Sequence, residues 1–152
     1  MVYLTKWIEI TTPYRTIKIS PDGRQVIDEI HQSVKKSPHT TNLINYVTKL
    51  HERGVDRINC DHVYFDFLDR SMNLNRGKRR LDIIYYKNNQ LFECELKGPR
   101  EVGLQRTWEQ VNDMSKECNV LTLLVPLDKM EFCKEQLNLW DIEGVVVDTY
   151  EN

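Results

Sequence analysis

The stretch RRLDIIYYKNNQLFECELKGP, Arg79 to Pro99, decides the fold. Two runs of strand-forming residues, LDIIYYK and QLFECELK, flank Asn88 and Asn89, a pair that suits a tight hairpin turn. Side chains alternate along a strand, so Glu93, Glu95 and Lys97 share one face. Phe92, Cys94 and Leu96 take the other face and read as core. In a hairpin turning at Asn88 and Asn89, the start of the first strand meets the end of the second. Asp82 is therefore expected across from the Glu95–Lys97 region. A one-residue slip would reverse the face, so the place of the turn sets the chemistry.

Beyond Pro99, LQRTWEQVNDMSKEC reads as a helix with Leu104, Trp108, Val111 and Cys118 on one side. NVLTLLVP is nearly all apolar, the pattern of a buried strand. A helix from about Lys129 to Leu139 and a strand in GVVVDTY follow. Before Arg79, a helix from about Thr41 presents Leu43, Ile44, Val47 and Leu50, and Gly54 suits its left-handed end. RINCDHVYFDFL then reads as a strand with Val63, Phe65 and Phe67 on one face, and DRSMNLNRGKRR as a polar, basic loop. In the first forty residues, WIEI and TIKI form two strands around TTPY. Ser20 offers an N-cap and Pro21 a first helical residue, with Val26, Ile27, Ile30 and Val34 at helical spacing to about Lys36.

The middle of the chain thus runs helix, strand, strand, strand, helix, strand. The first three strands are close enough for a meander, and the fourth needs a helical crossover that makes it parallel to its neighbour. The expectation is a single α/β domain over residues 1–152. It has a mixed sheet with an αβββαβ core at about 41–126, flanked by helices. An N-terminal hairpin and helix and a C-terminal helix and strand extend it. A chain of 152 residues can bury a core of that size.

Composition narrows the function classes. The chain is 40% hydrophobic and 29% charged, as ordinary soluble domains are. No apolar run approaches the roughly 20 residues that span a bilayer, and the N-terminus lacks an apolar signal core. A cytoplasmic, intracellular protein without membrane contact is expected. Cys60, Cys94, Cys118 and Cys133 show no C-x-x-C spacing and read as reduced, structural residues. His31, His39, His51 and His62 show no ligand spacing and read as surface or capping residues. Nothing calls for an organic cofactor. The net charge of −2 gives no global argument for nucleic acid. The local run Arg76, Lys78, Arg79 and Arg80 does, because it directly precedes Asp82 and can hold phosphates.

Two carboxylates as close as Asp82 and Glu95 repel unless a cation lies between them. Lys97 can serve, and Mg²⁺ or Mn²⁺ serves better, since hard cations favour carboxylate oxygens. Such an ion polarises a phosphodiester and acidifies water. Glu95-Leu96-Lys97 is the only Asp/Glu-x-Lys triplet in the chain. The plain alternative is a cross-strand ion pair worth about 0.2–1 kcal/mol.

Asp on the second core strand and Glu-x-Lys on the third resemble the PD-(D/E)XK nuclease superfamily. The likeness is strongest to virus-type replication-repair nuclease domains, and extends to Holliday junction resolvases and restriction endonucleases. It rests on Arg80-Leu81-Asp82, on Glu95-Leu96-Lys97-Gly98-Pro99, and on Gln105 three residues before Trp108. It covers about Thr41 to Pro126. The resemblance implies a restriction endonuclease-like fold and a Mg²⁺-dependent (or Mn²⁺-dependent) DNA endonuclease, selective for branched or flapped DNA. It implies metal binding by Asp82, Glu95 and the Leu96 carbonyl, catalysis by Asp82, Glu95, Lys97 and Gln105, and a homodimer. One feature departs. The usual acid early in the first core helix is missing from TTNLINYVTKLHERG. Asn42 or Asn45 substitutes, or Glu29 reaches in, or metal binding is weak. Weak binding would leave a nucleic-acid-binding module with little or no turnover. A protein-interaction domain is the third reading, favoured slightly by the acidic pI near 6.1.

Overall fold

A computed structural model describes residues 6–11, 15–30 and 38–151. Its centre is the stretch quoted above. Strands β7 (Ile83–Lys87) and β8 (Gln90–Leu96) pair antiparallel, with Ile83 opposite Cys94 and Lys87 opposite Gln90. Asn88 and Asn89 both take positive φ, 52° and 62°. Two successive left-handed residues twist the turn in the sense of the flanking strands.

Strand β4 (Arg57–Cys60) pairs antiparallel with the other edge of β7. On the far side, β9 (Leu121–Val125) and β10 (Val145–Thr149) add in parallel, giving the order β10-β9-β8-β7-β4. The meander and the parallel crossover expected from the sequence are both present. The fold is mixed α/β, a five-stranded mixed sheet with three helices among the described residues.

The helices cover opposite faces. On one, α1 (Pro38–Glu52) lays Leu43, Val47 and Leu50 against Ile58, Ile83, Tyr85, Cys94, Leu96 and Leu124. On the other, α2 (Gln105–Glu117) and α3 (Met130–Leu139) pack Trp108, Val111, Met114, Cys133 and Leu137 on Ile84, Leu121 and Leu123. Burial at roughly 25 cal/mol per Å² of apolar surface makes this sandwich the main source of stability. The four cysteines are free and buried within it. Burial pushes the Cys60 and Cys118 thiols up to about 12, so they are chemically quiet, as expected.

The N-terminal region departs from the sequence reading. Val26–Ile30 is a strand, β3, not the middle of a helix. It completes a three-stranded sheet with β1 (Ile8–Thr11) and β2 (Arg15–Ile19). SPDG is a turn, not a helix start. The Gly23 N–H closes it onto the Ser20 carbonyl at 2.9 Å with Gly23 at φ 74°, and Ser20 Oγ bonds Asp22 and the Gln25 amide. Side chains that cap helices also close turns. VIDEI then alternates at the period of a strand. Residues 31–36 of the expected helix lie outside the described residues.

Two more differences bear on the site. The strand beginning at Arg57 stops at Cys60, because His62 takes φ 69° and leaves the extended region. Val63, Phe65 and Phe67 pack instead from a loop, the two phenylalanines stacked at 5.0 Å. The polar loop that follows buries Met72 and Leu74 and ends in a small hairpin, β5 (Asn75–Arg76) and β6 (Arg79–Arg80). Leu104 is exposed ahead of α2, while Trp108 is buried and donates its indole N–H to Val102 O at 2.9 Å.

Candidate metal and catalytic centre

Strand pairing brings Asp82 beside Glu95. The paired register ends at Ile83 opposite Cys94, and Asp82 directly precedes β7. There the Asp82 N–H bonds the Cys94 carbonyl at 3.1 Å. One Asp82 carboxylate oxygen, Oδ2, accepts the Leu96 N–H at 2.8 Å, and the residue is 4% exposed. Asp82 and Glu95 are in side-chain hydrogen-bond contact.

That contact requires a shared proton. Burial, then the hydrogen bond with Asp82 and its charge, push the Glu95 carboxyl well above the usual range. Burial also pushes Asp82 up, but hydrogen bonds from Glu95, His39 and the Leu96 amide outweigh it and hold Asp82 below the usual range. Glu95 is therefore the proton donor and Asp82 the carboxylate. Such a pair holds one proton where a divalent cation would satisfy both groups, and the donors fit that ion.

Lys97 extends from the strand end. Its amide is fixed to Leu124 O at 3.0 Å, and its ammonium donates to Gln110 Oε1 at 3.1 Å and lies 3.8 Å from Glu101 Oε2. Glu101 sits in the 3-10 turn Glu101–Gly103, where it also accepts the Gly98 N–H at 2.9 Å. The sequence reading chose Gln105 as the glutamine of the site. Gln105 is exposed and donates to Glu109 at 3.0 Å, while Gln110, on α2, meets Lys97.

The histidines correct the sequence reading. His39, second residue of α1, and His62, in the loop after β4, converge on Asp82 Oδ1 at 3.4 and 3.7 Å. They are not merely surface or capping residues. The Asp82 hydrogen bond raises the His39 pKa against the opposing pull of burial. No spacing signal marks them, since 22 residues and a strand separate the pair. Of the other candidates for the missing helix acid, Asn42 is half-buried and Asn45 exposed on α1, and Glu29 is exposed on β3.

The basic run is less free than its composition suggests. Arg76 donates to Glu93 at 2.6 Å and to the Asn73 and Asn75 carbonyls at 2.8 Å. Arg79 meets Asp113 at 3.2 Å and Arg80 meets Asp61 at 3.1 Å. Arg76, Lys78 and Arg79 line an open groove of about 660 Å³ with Lys116 and the acidic Asp113 and Glu117.

The shared proton gives a stability test. A carboxyl whose folded pKa is raised favours the folded state at low pH and loses that advantage as pH climbs from the ordinary glutamate range through its raised value. Glu95→Gln, always neutral, removes that loss. The metal-free variant melts above wild type at pH 8, by about 2–4 °C for each kcal/mol gained. Thermal denaturation in EDTA checks this; a metal-free variant that melts lower refutes the shared proton.

Comparison with protein-family models, with curated proteins and with solved structures finds no match to this chain. No described helix is long and apolar enough to cross a membrane.

Proposed function

We propose that this protein is a divalent-cation-dependent DNA endonuclease of the PD-(D/E)XK type, built on a restriction endonuclease-like αβββαβ core. The observation that carries the reading is the Asp82–Glu95 carboxyl pair across β7 and β8, with Lys97 two residues further on. Asp82, Glu95 and the Leu96 carbonyl would hold the ion. When bound, a divalent cation supplies Lewis acidity to the scissile phosphate and lowers the pKa of an attacking water.

The chain's own groups supply the rest. Glu95 would give up its proton to serve as the second anionic ligand. Lys97, held by Gln110, presents a cation where negative charge grows on the phosphate oxygens. Lys78, Arg79 and Arg80 grip flanking phosphates, with Arg79 giving up exposed Asp113 and Arg80 half-buried Asp61 for DNA. Branched or flapped DNA is the substrate class that the reading favours.

A binding module without turnover is the second reading, supported by the outward position of Gln105. A labelled panel of duplex, single-stranded, nicked, flapped and four-way-junction DNA, with Mg²⁺, Mn²⁺ or EDTA, separates the two. Metal-dependent cutting supports the nuclease. Binding without cutting under every condition supports the module.

The proposal includes a homodimer. Ile8, Ile10 and Val26 are exposed on one face of the three-stranded sheet, where register aligns them with Ile17 and Ile19. Light scattering that gives twice the chain mass supports this, and a monomer at high concentration removes it.

A further inference from the structure

We propose that the cation centre extends to His39 and His62, and that these imidazoles make it select a first-row transition ion, such as Mn²⁺ or Co²⁺, over Mg²⁺. The inference rests on the reading of the Asp82–Glu95 pair as a cation site, and not on nuclease activity.

The geometry is convergent. Two histidines from separate elements face one oxygen, Asp82 Oδ1, while Oδ2 is occupied by the Leu96 amide. The three ligand atoms of His39, His62 and Asp82 lie within 4.8 Å of one another. Ligands about 2.1 Å from a common ion are separated by roughly 3–4 Å, so a small inward shift closes the set. His39 makes only a long hydrogen bond to Asp82 at 3.4 Å, and His62 at 3.7 Å stands beyond the usual N–H···O bond of about 2.7–3.2 Å. The rings meet edge to face, 86° apart with centroids at 5.7 Å, so both direct nitrogens toward the carboxylate without stacking.

The rest of the fold supports the assignment. The first turn of α1 carries no acid, and His39 lies in that turn. An imidazole therefore stands where a carboxylate would serve a Mg²⁺ site. His62 is 48% exposed at its side chain, and its Nε2 lies between two carboxylates, 3.6 Å from Asp61 Oδ2 and 3.7 Å from Asp82 Oδ1. The chemistry then follows from ligand type. Imidazole suits Mn²⁺, Fe²⁺, Co²⁺, Ni²⁺ and Zn²⁺, whereas Mg²⁺ keeps oxygen ligands and most of its water.

Direct binding tests this without any substrate. Calorimetry measures Co²⁺, Mn²⁺ and Mg²⁺ affinities at pH 7.5 for wild type, His62→Ala, His39→Ala/His62→Ala and Asp82→Asn. Carboxylate sites already favour Co²⁺ over Mg²⁺, so the decisive quantity is the change in that ratio between proteins. The double variant lowers Co²⁺ affinity at least about tenfold, leaves Mg²⁺ affinity within about twofold, and loses the imidazole contribution to the Co²⁺ absorption spectrum. His62→Ala gives a smaller drop and, being on an exposed loop, keeps the fold if the double variant does not. Asp82→Asn loses all three ions.

An unchanged Co²⁺-to-Mg²⁺ ratio in His62→Ala overturns the proposal. So does a Co²⁺ spectrum without imidazole character. Selective, histidine-dependent binding by a protein that cuts no DNA upholds the metal assignment and removes the nuclease. Cutting with an unchanged ratio does the reverse.

Discussion

On the proposed nuclease activity, Lys97→Ala lowers the rate of metal-dependent DNA cleavage about 10³-fold while leaving the melting temperature and DNA affinity near wild type. The argument starts from where the ammonium sits. Its neighbours are Gln110 Oε1 at 3.1 Å and Glu101 Oε2 at 3.8 Å, both on the α2 side of the strand end. Neither is a buried charge that needs Lys97 for its stability, so truncation spares the fold. A thousandfold loss corresponds to about 4 kcal/mol of transition-state stabilisation, the scale of one well-placed charged donor. Asp82→Asn loses as much by a different route, since it removes a metal-binding anion but can still accept the Leu96 N–H. Cleavage measured under single-turnover conditions reads the chemical step. Cutting that survives both substitutions, or that ignores EDTA, sinks the catalytic assignment.

The fold was legible wherever a single period ran unbroken. NVLTLLVP, the Asn88–Asn89 turn and the α2 stripe each admit one arrangement, and together they set the order of the main sheet. The turn and the β7–β8 pairing brought Asp82 near Glu95, because both are fixed by local geometry. Failures came where one pattern serves two structures. SPDG caps a helix or closes a turn, and Val26, Ile27 and Ile30 fit either period. Tertiary pairing with β2 chose the strand. The histidines were illegible for another reason. His39 and His62 meet only because α1 begins, and β4 ends, at the same edge of the sheet. Gln110 is the same case: Gln105 and Gln110 differ by five residues, more than a full turn, and only packing of α2 shows which faces Lys97.

Arg76→Ala destabilises the protein by about 3–5 kcal/mol, although composition places this residue among the phosphate-binding cations. Glu93 is 3% exposed on β8, beside Ile84 and Leu121 in register. Its carboxylate meets Arg76 Nε at 2.6 Å, the Asn119 N–H at 3.2 Å and the Cys118 thiol. Removing the guanidinium leaves one amide and a weak thiol donor to hold a charge that water cannot reach. A loss of that size is a large part of the roughly 5–15 kcal/mol that holds a domain together, and lowers the melting temperature by roughly 10 °C. Arg76→Met/Glu93→Gln recovers most of it, because neither charge is then buried alone. A double-mutant cycle by urea denaturation measures the coupling. A residue that served only DNA would behave otherwise: Arg76→Ala would melt as wild type and lose one phosphate contact from the salt dependence of binding. The same ion pair carries a functional consequence. Arg76 opens the β5–β6 hairpin that bears Lys78, Arg79 and Arg80, and Gly77 at φ 59° turns that hairpin against Glu117. Glu93 stands two residues before Glu95 on the same face of β8. Pinning the hairpin to Glu93 therefore sets the distance between its basic side chains and the carboxyl pair.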